Sequence, residues 1–224
     1  LLRMQAALDV DREGRVTQVE FVDKLAVPDV IRQRARKVAS GWRFQPPMKD
    51  GKAVSGRTYA GVQACVVPVA EDLDVSIAFG GNGPASFHVT PNKPRSMALP
   101  IDVLQERGIT RLQGKITYVV GVGGRATLES ATLDEPALQA QFGEMWKRDQ
   151  REIIRYSRYL PEMVDGVAIP TRLEFTSILQ WTQDMDSVRD DARRADEQSD
   201  ACRTLRGEDG ERIASDSPFK RTEG

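Results

Sequence analysis

Side chains able to do covalent or metal chemistry are scarce in this sequence. It holds one histidine, His88, and two cysteines, Cys65 and Cys202. A catalytic triad needs a histidine held between a nucleophile and an acid, and no motif around His88 supplies either. Two thiols and one imidazole fall short of the four ligands of a structural zinc site. Two cysteines do suffice for one disulfide. Gly80-Gly81-Asn82-Gly83 lacks the Gly-Lys-Ser/Thr ending of a phosphate loop and reads as a turn. The expectation is therefore a protein that is not an enzyme, with no metal, no cofactor and no small-molecule substrate. Three other groups have structural readings. Trp42 and Phe44 sit at a helix end, where large aromatics are core. Arg43 and Arg158 are expected to hydrogen-bond backbone carbonyls. Arg32, Arg34, Arg36 and Lys37 read as a solvated helix face.

The elements that would position any site follow from an internal echo. Trp42 to Ala53 reads Trp-Arg-Phe-Gln-Pro-Pro-Met-Lys-Asp-Gly-Lys-Ala. Ser157 to Ala168 repeats its skeleton at a constant offset of 115 residues. Arg43, Pro46, Met48, Asp50, Gly51 and Ala53 are matched by Arg158, Pro161, Met163, Asp165, Gly166 and Ala168. Six ungapped identities in so short a window indicate a duplication. Upstream, Asp11 to Arg15 corresponds to Gly121 to Arg125 at an offset of 110. The second copy thus carries five extra residues between turn and echo.

Each copy reads β-β-α-β. In the first, Met4, Ala6, Leu8 and Val10 share one face of a strand. Gly14 supplies the turn into Val16 to Val22. A helix begins near Pro28, with Asp29 favouring its dipole. Ile31, Ala35, Val38 and Trp42 form its apolar stripe. Tyr59 to Val69 is the last strand. In the second copy the strands are Lys115 to Val122 and Ala126 to Leu133. Asp134 is expected to cap a helix whose buried face carries Leu138, Phe142, Met145, Trp146, Ile153 and Ile154. A bulge is expected in the last strand, around Leu173, Phe175, Ile178 and Trp181.

The fold class is accordingly α+β, with antiparallel sheets. The units are 1–69, a connector 70–99, 100–181, and a charged tail 182–224. In the connector, Val75 to Phe79 is expected to pair with Ser86 to Val89 around Gly80 to Pro84. Residues 182–224 hold twelve acidic and eight basic side chains, which reads as a solvated, partly helical tail around Val188, Ala192 and Ala195. Cys202, Leu205, Ile213 and Phe219 stand out there as anchors.

A formal net charge of −1 argues against a dedicated nucleic-acid binder, which would be strongly basic. No apolar run approaches the roughly 20 residues needed to span a bilayer. The chain opens on Leu1, already in a strand, and reads as a trimmed or mature form.

The hairpin around Asp11-Arg12-Glu13-Gly14-Arg15-Val16 is followed by a helix into Trp42-Arg43-Phe44-Gln45-Pro46 and by Asp50-Gly51. This succession resembles the C-terminal domain of TonB-family energy transducers. The second copy resembles the same domain, so the likeness extends over most of residues 1 to 181. The Pro100 to Gly114 lead-in resembles the helical entry of that family. Ser157 stands where the first copy has Trp42, and a tandem arrangement departs from the usual transducer.

The resemblance implies a periplasmic protein of the cell envelope. It implies a partner that is an extended peptide of an outer-membrane receptor or other envelope protein, added as a strand to a sheet edge, with energy-coupled transport as the wider setting. In the first copy the edge candidates are Thr58, Tyr59, Ala60, Gly61, Val62 and Gln63, which follow the turn as the family's receptor-contacting strand does. In the second they are Arg172, Leu173, Glu174, Phe175 and Thr176. An oxidising compartment further implies a Cys65–Cys202 disulfide. A second copy of the chain, as a homodimer, is a further candidate partner. The alternative function is a structural or assembly protein whose sheets leave no free edge.

Overall fold

The computed structural model describes residues 1–23, 26–69, 72–88, 98–180, 189–190, 193–194, 202 and 214–222. It is a mixed α+β fold whose main strand pairings are antiparallel.

The alternation in the first strand, β1 (Leu2–Val10), buries Met4, Ala6, Leu8 and Val10. It turns into β2 (Val16–Phe21) through a loop that Asp11 organises. The Asp11 carboxylate accepts the Glu13 and Arg15 amides at 3.0 and 2.8 Å. Gly14 has φ +79°, and a Cβ there would lie 1.9 Å from the Phe44 carbonyl oxygen. Only glycine lets the turn close onto the echo segment, where the Phe44 amide donates to the Gly14 carbonyl at 2.9 Å. Helix α1 (Asp29–Ser40) buries Ile31, Ala35 and Ala39 and half-buries Val38. Strand β3 (Arg43–Gln45) follows, then a small hairpin of β4 (Met48–Lys49) and β5 (Lys52–Ala53). Asp50 and Gly51 turn it with φ of 50° and 75°. Both positive angles suit an Asp-Gly pair. Strand β6 (Gly56–Val69) then lies beside β1.

Two strands follow, β7 (Asp72–Gly83) and β8 (Ala85–His88), then the short helix α2 (Ile101–Glu106). From there the succession recurs. Strands β9 (Arg111–Val120) and β10 (Ala126–Leu133) form the hairpin, and α3 (Pro136–Tyr156) the helix. Strand β11 (Ser157–Leu160) carries the echo. The small hairpin is β12 (Met163–Val164) and β13 (Val167–Ala168), and β14 (Thr171–Gln180) is the last strand. The glycine contact recurs as well. Gly124 has φ +70°, its Cβ would lie 2.2 Å from the Tyr159 carbonyl oxygen, and the Tyr159 amide donates to Gly124 at 3.0 Å. The Arg43 and Arg158 guanidinium groups each donate to a carbonyl of the preceding residue, Trp42 and Ser157. Each half has its own core: Leu8, Ala35, Trp42 and Phe44 in the first, Ile116, Phe142, Trp146 and Ile154 in the second.

Several expectations need correction. The glycine cluster is not a hairpin turn. Strand β7 pairs with β6 from Tyr59↔Gly83 to Val69↔Asp72, and the register shifts between Ala60 and Val62. Gly80 and Gly81 therefore bulge opposite Gly61. Strand β8 does not fold back on β7. It crosses to the other half and pairs with β11. The tail does the reverse. Its strands β15 (Ala214–Ser215) and β16 (Lys220–Thr222) pair with β14 and β3. The exit segment of each half thus closes the echo strand of the other. The tail is not simply solvated, and two of its expected anchors hold: Phe219 is fully buried in the first core, and Cys202 is buried and bonded to Cys65. On α3, Met145 is exposed at the flank of the buried face of Phe142, Trp146 and Ile154, and Asp134 does not cap the helix. The Asp134 carboxylate accepts the Gln113 side-chain amide instead, and Glu135 takes the capping position without a side-chain bond. Strand β14 runs against β9 without a bulge, and the register break of that sheet lies in β10, between Leu128 and Ser130. The tail positions Val188, Ala192, Ala195, Leu205 and Ile213 lie outside the described residues, as do Val89 and Trp181.

Candidate peptide-binding cleft

The two halves enclose a cleft of about 730 Å³. That volume is in the range that holds a short peptide or a drug-sized ligand. One side comes from the back of the first sheet, with Gln5, Tyr59, Ala60 and Gly61. The bend of β7 contributes Gly80, Gly81, Asn82 and Gly83. The other side comes from the second half, with Lys115, Tyr118 and Tyr159, and with β14 from Leu173 to Thr176.

The two stretches singled out in the sequence therefore face one space, although not as two free edges. Strand β6 is not an edge at all. β1 takes one side of Thr58 to Gln63, and β7 takes the other. Val62 points into the first core and is wholly buried. Thr58 is also wholly buried and turned away into a polar network. Tyr59, Ala60 and Gly61 line the cleft as a wall. Strand β14 differs. Beyond the short pairing of Leu173 and Glu174 with β15, none of the described residues pairs with its outer edge. Arg172 fixes which groups point outward. Its amide donates to the Asp216 carboxylate at 2.6 Å, and its carbonyl accepts the Asp216 amide at 3.1 Å. Alternation along the strand gives the same outward direction to Glu174, Thr176 and Ile178, while Leu173 and Phe175 bond inward to β9. The Arg172 side chain pairs with Glu129 at 2.7 Å and takes no part in the cleft.

The aromatic cluster of the cleft belongs to the second half, with Tyr59 the aromatic on the first half's side. Tyr118 lies 5.5 Å from Tyr159 and 5.7 Å from Phe175, the latter edge to face at 83°. The matching positions in the first half are Leu8, Phe44 and Ala60. Burial pushes the Tyr118 and Tyr159 phenols up, so both stay protonated at neutral pH. Cys65 and Cys202 are bonded, with Cα atoms 5.1 Å apart, and the bond ties the tail to β6.

One group that the sequence reading passed over closes the joint between the halves. Glu162 is wholly buried. Its carboxylate accepts three hydroxyls, from Thr58 at 2.5 Å, Ser217 at 2.6 Å and Thr171 at 2.8 Å. They come from β6, the tail and β14. The Asn82 side-chain amide donates in turn to Thr58, Ser217 and the Phe219 carbonyl, at 3.1, 3.0 and 2.9 Å. A sequence signal existed, since Glu162 stands where the first copy has Pro47. At the exposed rim, Lys49 and Asp165 join the two hairpin tips at 2.6 Å.

Burial raises the Glu162 carboxyl above its usual value. The three hydroxyls pull it partly back, and nearby Asp216 adds to the rise. A folded-state value above the unfolded one gives stability that is complete below the ordinary glutamate range, near 4.5, and is lost as pH rises through the raised value. Glu162→Gln should therefore gain stability relative to the parent between about pH 4.5 and pH 7.5. Urea unfolding of both proteins at the two pH values checks this. A parent-minus-variant difference that does not change with pH would contradict it.

Among the described residues, no helix is long and apolar enough to cross a membrane, and the disulfide is compatible with an extracytoplasmic location. Comparison of the chain with protein-family models, with curated proteins and with solved structures found no match.

Proposed function

We propose that this chain is a non-enzymatic, TonB-like binding module of the periplasm. It takes up an extended segment of an envelope or outer-membrane protein by strand addition, in the manner of an energy-coupled transport component. The segment pairs with the outer edge of β14 from Thr176 onward and lies in the cleft between the halves. The observation that carries this reading is the outer edge beyond Glu174, unpaired among the described residues, with Phe175 and Thr176 at its start lining the cleft. Unpaired strand amides and carbonyls are a template for another strand. Six residues from Phe175 to Gln180 offer about 20 Å of extended edge.

A second reading has its own observation. β7 and β12 cover the outer side of β6, and the exit strands of the two halves close each other's echo strands. A chain so thoroughly paired suits a structural or assembly role in the envelope.

Proline at an outward-facing position separates the two. The Thr176 amide points away from β9, so Thr176→Pro removes one donor for an incoming strand and leaves the β9 ladder intact. Phe175→Pro would break that ladder. Peptides are selected on the intact chain from a displayed random library. Their affinity should fall at least tenfold in Thr176→Pro and in Ile178→Pro, each checked for folding by circular dichroism. The Thr176 and Ile178 amides should gain hydrogen-exchange protection on binding in the parent. Unchanged affinity in both variants would discard strand addition at β14 and leave the structural reading.

A further inference from the structure

Resting on strand addition at β14, we infer that the cleft selects a segment with large, uncharged aromatic side chains at alternate positions. Side chains alternate along any added strand, so every second one faces the same side as Leu173 and Phe175. On that side the wall is Phe175 and Tyr118. Phe175 is only half-buried, and its contact with Tyr118 is edge to face, which leaves ring surface for another aromatic.

The opposite wall carries Tyr59 and Asn82 but is rich in glycine between them. Gly61, Gly80, Gly81 and Gly83 lie along it. For Gly83 the backbone explains glycine, with φ +154°, and for Gly81 likewise, with φ +94°. Gly61 is different. Its φ lies outside the left-handed region, and the nearest atoms to a Cβ would be the Gly80 backbone, its carbonyl oxygen at 3.4 Å. The fold does not require glycine there, and glycine inside a strand is destabilising by about 0.5–1 kcal/mol relative to alanine. What Gly61 gives is depth in the cleft opposite the aromatic wall. The charged lining residues are Lys115 and Glu174, one of each sign, so the cleft carries no net charge that would favour a side chain of either sign. Burying an unpaired charge there would be costly.

The test uses two acetylated, amidated heptapeptides. One alternates phenylalanine with threonine; the other has alanine in place of phenylalanine. Both are titrated calorimetrically into the intact, disulfide-bonded chain. The phenylalanine peptide should bind at least tenfold more tightly. Gly61→Val should remove that advantage, weakening the phenylalanine peptide at least tenfold and the alanine peptide less than threefold. Gly61→Ala, for which the backbone has room, should give an intermediate loss and serves if the valine variant does not fold. Thr176→Pro should weaken both peptides. Equal binding of the two peptides, or phenylalanine-peptide affinity unmoved by either Gly61 variant, overturns the aromatic selectivity and leaves strand addition standing. Binding of both peptides unchanged in Thr176→Pro overturns strand addition itself. Binding of neither peptide to the parent overturns both.

Discussion

Replacing Cys65 and Cys202 together by alanine should lower the stability of the chain by roughly 4–5 kcal/mol. The bond spans a sequence separation of 137 residues. In the chain-entropy account, a cross-link acts on the unfolded state, and its effect grows slowly with the length of chain that it closes. The native tail has other attachments: β15 on β14, β16 on β3, and the Asn82 amide on the Phe219 carbonyl. Those attachments keep the tail docked when the bond is gone, so the native state changes little. The unfolded chain gains nearly all of its freedom back, and that difference is the expected loss. Urea unfolding of the parent and the double variant measures it. A difference under about 1 kcal/mol would mean that the unfolded chain is already compact around these two positions.

The parts of this fold that could be read in the sequence are those in which local chemistry and position coincide. Gly14 and Gly124 were legible because each closes a turn that no other residue can make, and the same is true of Asp50-Gly51 and Asp165-Gly166. The strand of alternating Met4, Ala6, Leu8 and Val10 was legible because that face packs into the first core, whereas on the other only Ala7 is buried. What failed was pairing at a distance. Nothing local to β8 says that it crosses to β11 rather than turning back on β7, because both choices satisfy the same backbone groups. The glycines around position 80 read as a turn because a bulge and a turn ask for the same backbone freedom. The edge residues were half legible. Leu173 to Thr176 were correctly placed on a last strand, but the covering of β6 by β7 depends on a strand that looked like a connector. Glu162 was visible only as a departure from the repeat. A carboxylate in place of Pro47 asks for partners, and those partners sit on three separate segments.

Phe219→Ala should destabilise the protein by about 3–5 kcal/mol, a core-sized effect from a residue five positions before the end of the sequence given. Charge density around Phe219 argues for solvent, yet its ring is wholly buried beside Met4, Trp42, Phe44 and Phe79. Two backbone bonds hold it there. Its amide donates to the Ser217 hydroxyl at 3.1 Å, and its carbonyl accepts the Asn82 side chain at 2.9 Å. The fit is close on the β6 side as well, since a Cβ on Gly56 would come within 2.6 Å of the ring. Truncation would leave a cavity walled by β6 and the first core, and these cannot collapse without disturbing the pairing of β16 with β3. Phe219→Leu, which keeps most of the volume, should lose less than about half as much. The first half of the chain therefore depends on the segment leading into β16 for its own core. Equilibrium unfolding in urea distinguishes this from a dispensable tail, for which both variants would fall within about 0.5 kcal/mol of the parent.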